Sequence, residues 1–305
     1  MKFLRVDNGI AHRKNIHGFE LLARAADADL IVSADRSIWT HEYDLVWIPV
    51  GYFHSSEFPN AKRILYGPHN FTLPQPPWTQ PPSNPFTRSI YTTLSDWNNA
   101  VYKKIPVQAM PTVPLPFPVD IDEYPLIEKV EDPEFDCIFY FKHRNHKMIE
   151  CMIEMLNDMK LKFIFFRYGS YTEDEYRQAL KKVKFVYWVG CHESQGFGLQ
   201  ETLSSNVPLV VLDVQSMYDE HNHLNQPSYM EHLDKDLRAT TCTYWNNTCG
   251  FKTPDIQEIP GFLQQMKQSW RTFNPRTFIV ETLSANACWN RIQSAFDLKQ
   301  ETSVQ

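Results

Sequence analysis

Two glutamates eight positions apart frame the segment with the most chemical content in this 305-residue chain. It reads Cys191-His192-Glu193-Ser194-Gln195-Gly196-Phe197-Gly198-Leu199-Gln200-Glu201. An apolar run precedes it, a helical pattern begins inside it, and a second apolar run, Pro208–Val214, follows. A junction of strand, glycine loop and helix aims backbone N–H groups and the positive end of a helix at one spot, which suits phosphate. Gly196 and Gly198 predict a backbone that a ligand approaches closely. Glu193 is expected at the strand end and Glu201 near the first helical turn. Carboxylates so placed would repel a phosphate they touched, so they are better suited to accept hydrogen bonds from sugar hydroxyls on either side of it.

Holding two carboxylates at such a junction requires a sheet buried on both faces, and the chain carries two βα arrays that could build one each. In the first, Phe3–Val6, Leu30–Val32, Leu45–Val50 and Arg63–Tyr66 read as strands, and Phe19, Leu22, Ala23 and Ala26 recur at helical spacing. Six prolines between Pro74 and Pro85 predict an ordered loop or lid. Ser89–Lys104 reads as a helix, and the proline-rich stretch from Pro106 to Pro133 as the crossing between domains. The second array runs from a strand over Asp136–Phe141 to a helix carrying Ile149, Met152, Ile153 and Leu156, then a strand over Lys162–Phe166. A helix over Thr172–Val183 and a strand over Lys184–Val189 lead into the glycine loop. Asn274 and Pro275 suit the start of a last helical region with Phe278, Leu283, Trp289, Ile292 and Phe296 on its apolar face. Twin Rossmann-like domains follow from this pattern.

The segment 191–201 resembles the Glu-x7-Glu signature of retaining GT-B glycosyltransferases, family 4 in particular. Gly-Phe-Gly-Leu between the glutamates and Asn206-Val207-Pro208-Leu209-Val210-Val211 beyond them strengthen the match. Pro116–Tyr124 resembles the family's crossing segment, with Phe117-Pro118 in place of its usual Asn-Gly, and Asn274-Pro275-Arg276 resembles the start of its C-terminal helices. The resemblance implies an α/β GT-B fold, with two Rossmann-like βαβ domains facing across a cleft. Residues 1–120 would form the acceptor side and 121–275 the nucleotide-sugar side, with helices in 276–305 returning to the first domain. It implies metal-independent, retaining transfer of a sugar from a UDP- or GDP-sugar to a glycan or other hydroxyl acceptor, with no cofactor besides that co-substrate.

Site roles follow from the same resemblance. Glu193 would meet the transferred sugar, Glu201 the ribose, and His69 the reacting carbon. The diphosphate would lie against the amides of Gly196, Phe197, Gly198 and Leu199. Its charge would be offset by Lys147, which matches the family's lysine, and by Lys142, or by Arg144 if the loop shifts by two. Two departures stand out. Gly9 is alone where the family usually has two glycines, and a βα unit is missing before the Glu-x7-Glu segment. Base contacts would then fall on Arg167–Ser170, with Tyr168 stacking on the base. Two other readings fit the fold: a degenerate GT-B protein that binds nucleotide or glycan without transfer, and a nucleotide-sugar epimerase.

Composition narrows the classes further. Thirty Lys and Arg against 36 Asp and Glu leave a net charge of −6, which argues against broad nucleic-acid binding. The longest apolar runs are about five residues, against the roughly 20 of a membrane-spanning helix, so no transmembrane segment is expected. With no signal-peptide pattern at its start the chain is expected in the cytoplasm, its six cysteines reduced. The acidic pairs Asp27/Asp29, Asp120/Asp122 and Asp234/Asp236 read as solvated turns, and His221-Asn222-His223 as a solvated loop.

Overall fold

The computed structural model describes residues 1–9, 11–51, 53–68, 88–104, 110–129, 132–216 and 238–302. His69, the proline-rich segment 74–85, His221, His223, Asp234 and Asp236 lie outside the described residues. The chain divides into two compact units, Met1–Asp120 with Thr282–Gln305, and Ile121–Glu281.

In the first unit β1 (Lys2–Val6), β2 (Asp29–Ser33), β3 (Leu45–Ile48), β4 (Ile64–Tyr66), β5 (Ser89–Thr92) and β6 (Thr112–Val113) form one parallel sheet in the order β2-β1-β3-β4-β5-β6. Every residue of β3, β4 and β5 is buried, as expected of strands covered on both faces. Helix α1 (Arg13–Ala25) turns Phe19, Leu22 and Ala23 inward. The stretch read as one helix from Ser89 to Lys104 is instead β5 followed by α2 (Asp96–Lys104). Ser-Ile-Tyr-Thr is rich in β-branched and aromatic residues that pack on a pleated surface. Leu94, at φ +64, breaks the chain direction before the Ser95 carbonyl accepts the first helical bond, from Asn99. Likewise β6 lies inside the stretch read only as a crossing, in the two residues between Pro111 and Pro114.

In the second unit β7 (Phe135–Lys142), β8 (Phe163–Arg167), β9 (Val183–Gly190), β10 (Leu209–Leu212) and β11 (Gly250–Thr253) form a parallel sheet in the order β11-β10-β9-β7-β8. Helices α3 (Lys147–Asp158), α4 (Glu173–Leu180), α5 (Phe197–Ser204) and α6 (Ile259–Ser269) accompany them. Neither β11 nor α6 was expected from the apolar pattern. Helix α7 (Pro275–Leu283) carries the chain back to the first unit, where α8 (Ala285–Thr302) packs Trp289 on Phe3 at 5.3 Å between ring centres. Among the described residues no helix is long and apolar enough to cross a membrane, and none of the six cysteines is in a disulfide.

Both sheets share one topological feature. The chain leaves the first strand for a neighbour on one side (β1 to β2, β7 to β8) and comes back to pair on the other (β3, β9). Loops therefore part at the carboxyl ends of β1 and β3, and again at those of β7 and β9. A parallel α/β sheet binds ligands in the crevice at such a reversal.

Candidate functional site

The crevice at β7 and β9 assembles groups from three strand ends. The two strands run paired as far as Lys142 and Gly190. Beyond them His143, at φ +55, turns the chain toward α3, while β9 continues into Cys191-His192-Glu193. The Lys142 ammonium lies 2.5 Å from a Glu193 carboxylate oxygen, with only 19% and 13% of the two side chains exposed. Burial pulls the lysine pKa down, but the Glu193 carboxylate beside it outweighs burial, and the net shift is upward. The same ammonium stands 4.6 Å from the centre of the Tyr168 ring, just past the end of β8, and the His143 imidazole meets that ring edge-on at 5.1 Å. Tyr168 is held by its own N–H, which donates to the Phe141 carbonyl, while 48% of the residue stays exposed.

From Glu193 the chain enters α5 through Gly196, whose φ of +82 needs a residue without a Cβ. The N-cap of α5 is this glycine, which has no side chain to cap the helix, and the first turn carries no acid to offset the positive helix end. Gly198 works differently from the close approach expected of it. A Cβ there would meet the Trp188 indole at 2.9 Å, so its small size lets α5 pack on the sheet. Trp188 in turn stacks on its cross-strand partner Tyr140 at 3.8 Å.

Glu201 opens the second turn of α5, directly after the first turn near which it was expected, and is 8% exposed. It is close enough to Tyr124, Tyr171 and Tyr176 for its charge, added to their burial, to raise all three phenol pKa values, that of Tyr171 to about 12. Two of these phenols are tied down: Tyr171 to the Tyr140 hydroxyl at 2.7 Å, and Tyr176 to Thr202 at 2.6 Å. Behind α5, Arg276 donates to the carbonyls of Ser204 and Tyr124, which closes the helix's negative end.

Of the three cations read as diphosphate ligands, only Lys147 is exposed, in the first turn of α3. Lys142 is paired with Glu193. Arg144 spans the ends of β9 and β10, donating from Nε to the Gly190 carbonyl at 2.7 Å and from Nη2 to those of Asp213 and Leu212 at 3.0 and 3.3 Å. A wall of the crevice that was not foreseen comes from residues 240–243. Asp213 accepts from the Thr241 N–H at 2.7 Å and the Thr240 hydroxyl at 2.9 Å, and the Thr240 carbonyl accepts from the Glu193 N–H at 3.1 Å. Thr243 donates to the Gln195 carbonyl. An acid directly after the apolar run of β10 was the available signal, but its partners stand 27 and 28 residues further on.

Gly9 belongs to the first unit, at that unit's own reversal between β1 and β3. A Cβ on it would approach Val50 at 3.3 Å, and the neighbouring Asn8 amide donates to the Val50 carbonyl. Asp120 is not a solvated turn residue, because His17 Nε2 lies 2.6 Å from its carboxylate, which is 15% exposed. Asp29 opens β2 rather than a turn.

No family model and no curated protein matches this sequence. Solved structures match it over nearly its whole length. AviGT4, a glycosyltransferase involved in avilamycin A biosynthesis, superposes with a TM-score of 0.57 at 11% identity, over 97% of each chain. The lipopolysaccharide outer core galactosyltransferase WaaB gives 0.57 at 9%, covering 98% of this chain and 100% of its own. Anabaena HepE, in a complex with UDP and glucose, gives 0.54 at 11%, over 97% and 99%. With its two parallel-sheet Rossmann-like units, the chain has the GT-B fold.

Proposed function

We propose that the chain is a glycosyltransferase that moves a sugar from a UDP- or GDP-sugar to a glycan or other hydroxyl acceptor, as family 4 enzymes do. Transfer proceeds with retention and without a divalent cation. The observation that carries this reading is a carboxylate, Glu193, held beside the glycine-entered N-terminus of α5 at the reversal between β7 and β9. Diphosphate oxygens meet the amides from Gly196 to Leu199 and the Lys147 ammonium. Glu193 accepts hydrogen bonds from hydroxyls of the transferred sugar, and Glu201, among its phenols, takes the ribose. Tyr168 offers its exposed ring to the base. Glu193 is ion-paired, which makes it a poor covalent nucleophile and favours departure and attack on the same face of the sugar. The solved GT-B structures, HepE with UDP and glucose among them, support a nucleotide-sugar donor.

A rival reading, nucleotide binding without transfer, is favoured by the engagement of Lys142 and Arg144 away from the expected diphosphate position. One set of measurements separates the two. Release of free nucleotide from UDP- and GDP-sugars, with and without EDTA, should be detectable and unaffected by the chelator. Glu201→Ala should weaken free nucleoside diphosphate and intact donor alike, by roughly 1.5–3 kcal/mol for lost charge-assisted bonds. Glu193→Ala should spare nucleoside diphosphate affinity and lower turnover instead. Tight binding with no release under any condition would favour the rival. Equal loss of nucleotide affinity in the two variants would show that the carboxylate roles are wrongly divided.

A further inference from the structure

Lys142 stands where a diphosphate-binding cation is expected, yet its surroundings give it another task. Its ammonium is engaged on one side by Glu193 at 2.5 Å and on another by the Tyr168 ring at 4.6 Å. Both partners are mounted rigidly. The Glu193 N–H is bonded to the Thr240 carbonyl and the Tyr168 N–H to the Phe141 carbonyl, while Lys142 itself closes the β7–β9 ladder opposite Gly190. Three strand ends that share no local sequence thus meet at one side chain.

Turning Lys142 toward a diphosphate would strip a mostly buried carboxylate of its counter-charge and leave it beside an incoming anion. Both consequences oppose the move. A diphosphate has other sources of positive potential in the N-terminus of α5, entered through Gly196 with no acid in its first turn, and in Lys147.

We propose that Lys142 is a positioning residue: it neutralises and orients Glu193 toward the transferred sugar and fixes the Tyr168 ring at the rim of the crevice, without binding the diphosphate. This rests on the reading of the crevice as a donor site. Lys142 is then needed for turnover and for discrimination between intact donor and free nucleotide, and is dispensable for nucleotide affinity.

The test compares Lys142→Met, which keeps the stem, with Lys142→Arg, which keeps a charge able to pair with a carboxylate and lie over a ring. Lys147→Ala serves as the reference for a phosphate cation. Calorimetry with UDP and GDP, and turnover with UDP-glucose and GDP-mannose as probe donors, are run on all four proteins. Lys142→Met should hold nucleoside diphosphate affinity within about threefold and lose about a hundredfold or more in kcat, and Lys142→Arg should recover about tenfold of that loss. Lys147→Ala should show the reverse split, with affinity down about tenfold. A Lys142→Met variant that loses UDP or GDP affinity as severely as Lys147→Ala overturns the proposal.

A second readout needs no ligand. In urea unfolding of the unliganded protein, Lys142→Met and Glu193→Gln should be non-additive, since each single change already breaks the pair. Additivity overturns the proposal even if nucleotides bind. Absence of nucleotide binding in the unmodified protein would instead count against the donor-site reading, and leave non-additivity to judge the Lys142–Glu193 pair.

Discussion

Replacing Arg144 with methionine tests whether this cation serves the fold or the ligand. Its guanidinium makes three bonds to carbonyls, at 2.7, 3.0 and 3.3 Å, and so ties the ends of β9 and β10 together. A hydrogen bond with a charged donor contributes roughly 1.5–3 kcal/mol. The bond to Leu212 is long, and carbonyls at strand ends can regain water when the guanidinium is gone. The expected loss is therefore about 2–4 kcal/mol for the set. Methionine keeps the apolar stem, which leaves packing along it nearly intact. For a unit of this size each kcal/mol lowers Tm by roughly 2–4 °C, so the variant should melt about 4–16 °C earlier. Differential scanning calorimetry measures this in the transition of the second unit, with UDP and GDP titrations alongside. Nucleotide affinity should be nearly unchanged, because Glu193, which the loosened strand ends could displace, is assigned to the sugar and not to the nucleotide. A variant that melts with the unmodified protein but loses about tenfold or more in nucleotide affinity would refute the bracing role, and would return Arg144 to the diphosphate.

Two further substitutions probe what holds the crevice in place. A Cβ on Gly190 would lie 2.5 Å from the Trp188 indole nitrogen, and Trp188 is already confined by Tyr140 and Gly198. Gly190→Ala should therefore cost about 1–3 kcal/mol by overpacking, and unchanged urea unfolding would contradict this. Asp136, at the opposite end of the sheet, is buried, which by itself would raise its pKa. Bonds from Lys184 at 2.7 Å, the Lys162 N–H at 3.0 Å and Lys267 at 3.2 Å outweigh burial and hold it below the ordinary 3.8. A depressed carboxylate pKa stabilises the fold above the unfolded value, and that contribution disappears as pH falls through the folded one. Asp136→Asn should be less stable than the unmodified protein at pH 7, and the gap should narrow below about pH 4. A gap independent of pH would count against the charge network.

The fold was legible where local pattern and tertiary role coincide. Apolar runs such as Leu45–Ile48 and Leu209–Leu212 are buried on both faces, and that alone announces a parallel sheet. Two short elements of the first unit were not legible. Thr112-Val113 carries too few residues to show a period, and Ser89–Thr92 runs into α2 so closely that one helical reading covered both. At the crevice the sequence marked where a strand passes through glycine into a helix, but not what each side chain there would face. Lys142 and Arg144 are two positions apart in one basic turn, and one pairs with a carboxylate 51 residues away while the other clasps carbonyls as far as 69 residues away. Gly196 and Gly198 are equally close neighbours, one required by backbone conformation and the other by the face of Trp188.

What decides each case is the strand order. Because β9 returns to the far side of β7, Lys142 comes to the end of Gly190 and hence to Glu193. That adjacency also resolves a conflict visible in the sequence itself. An acidic side chain next to an anion-binding helix end would repel the anion it is meant to share a site with. Neutralised from the neighbouring strand, the same carboxylate can accept hydroxyl hydrogen bonds beside a diphosphate. On the proposed reading of the crevice as a donor site, the ion pair is the condition under which both halves of a nucleotide sugar can occupy it.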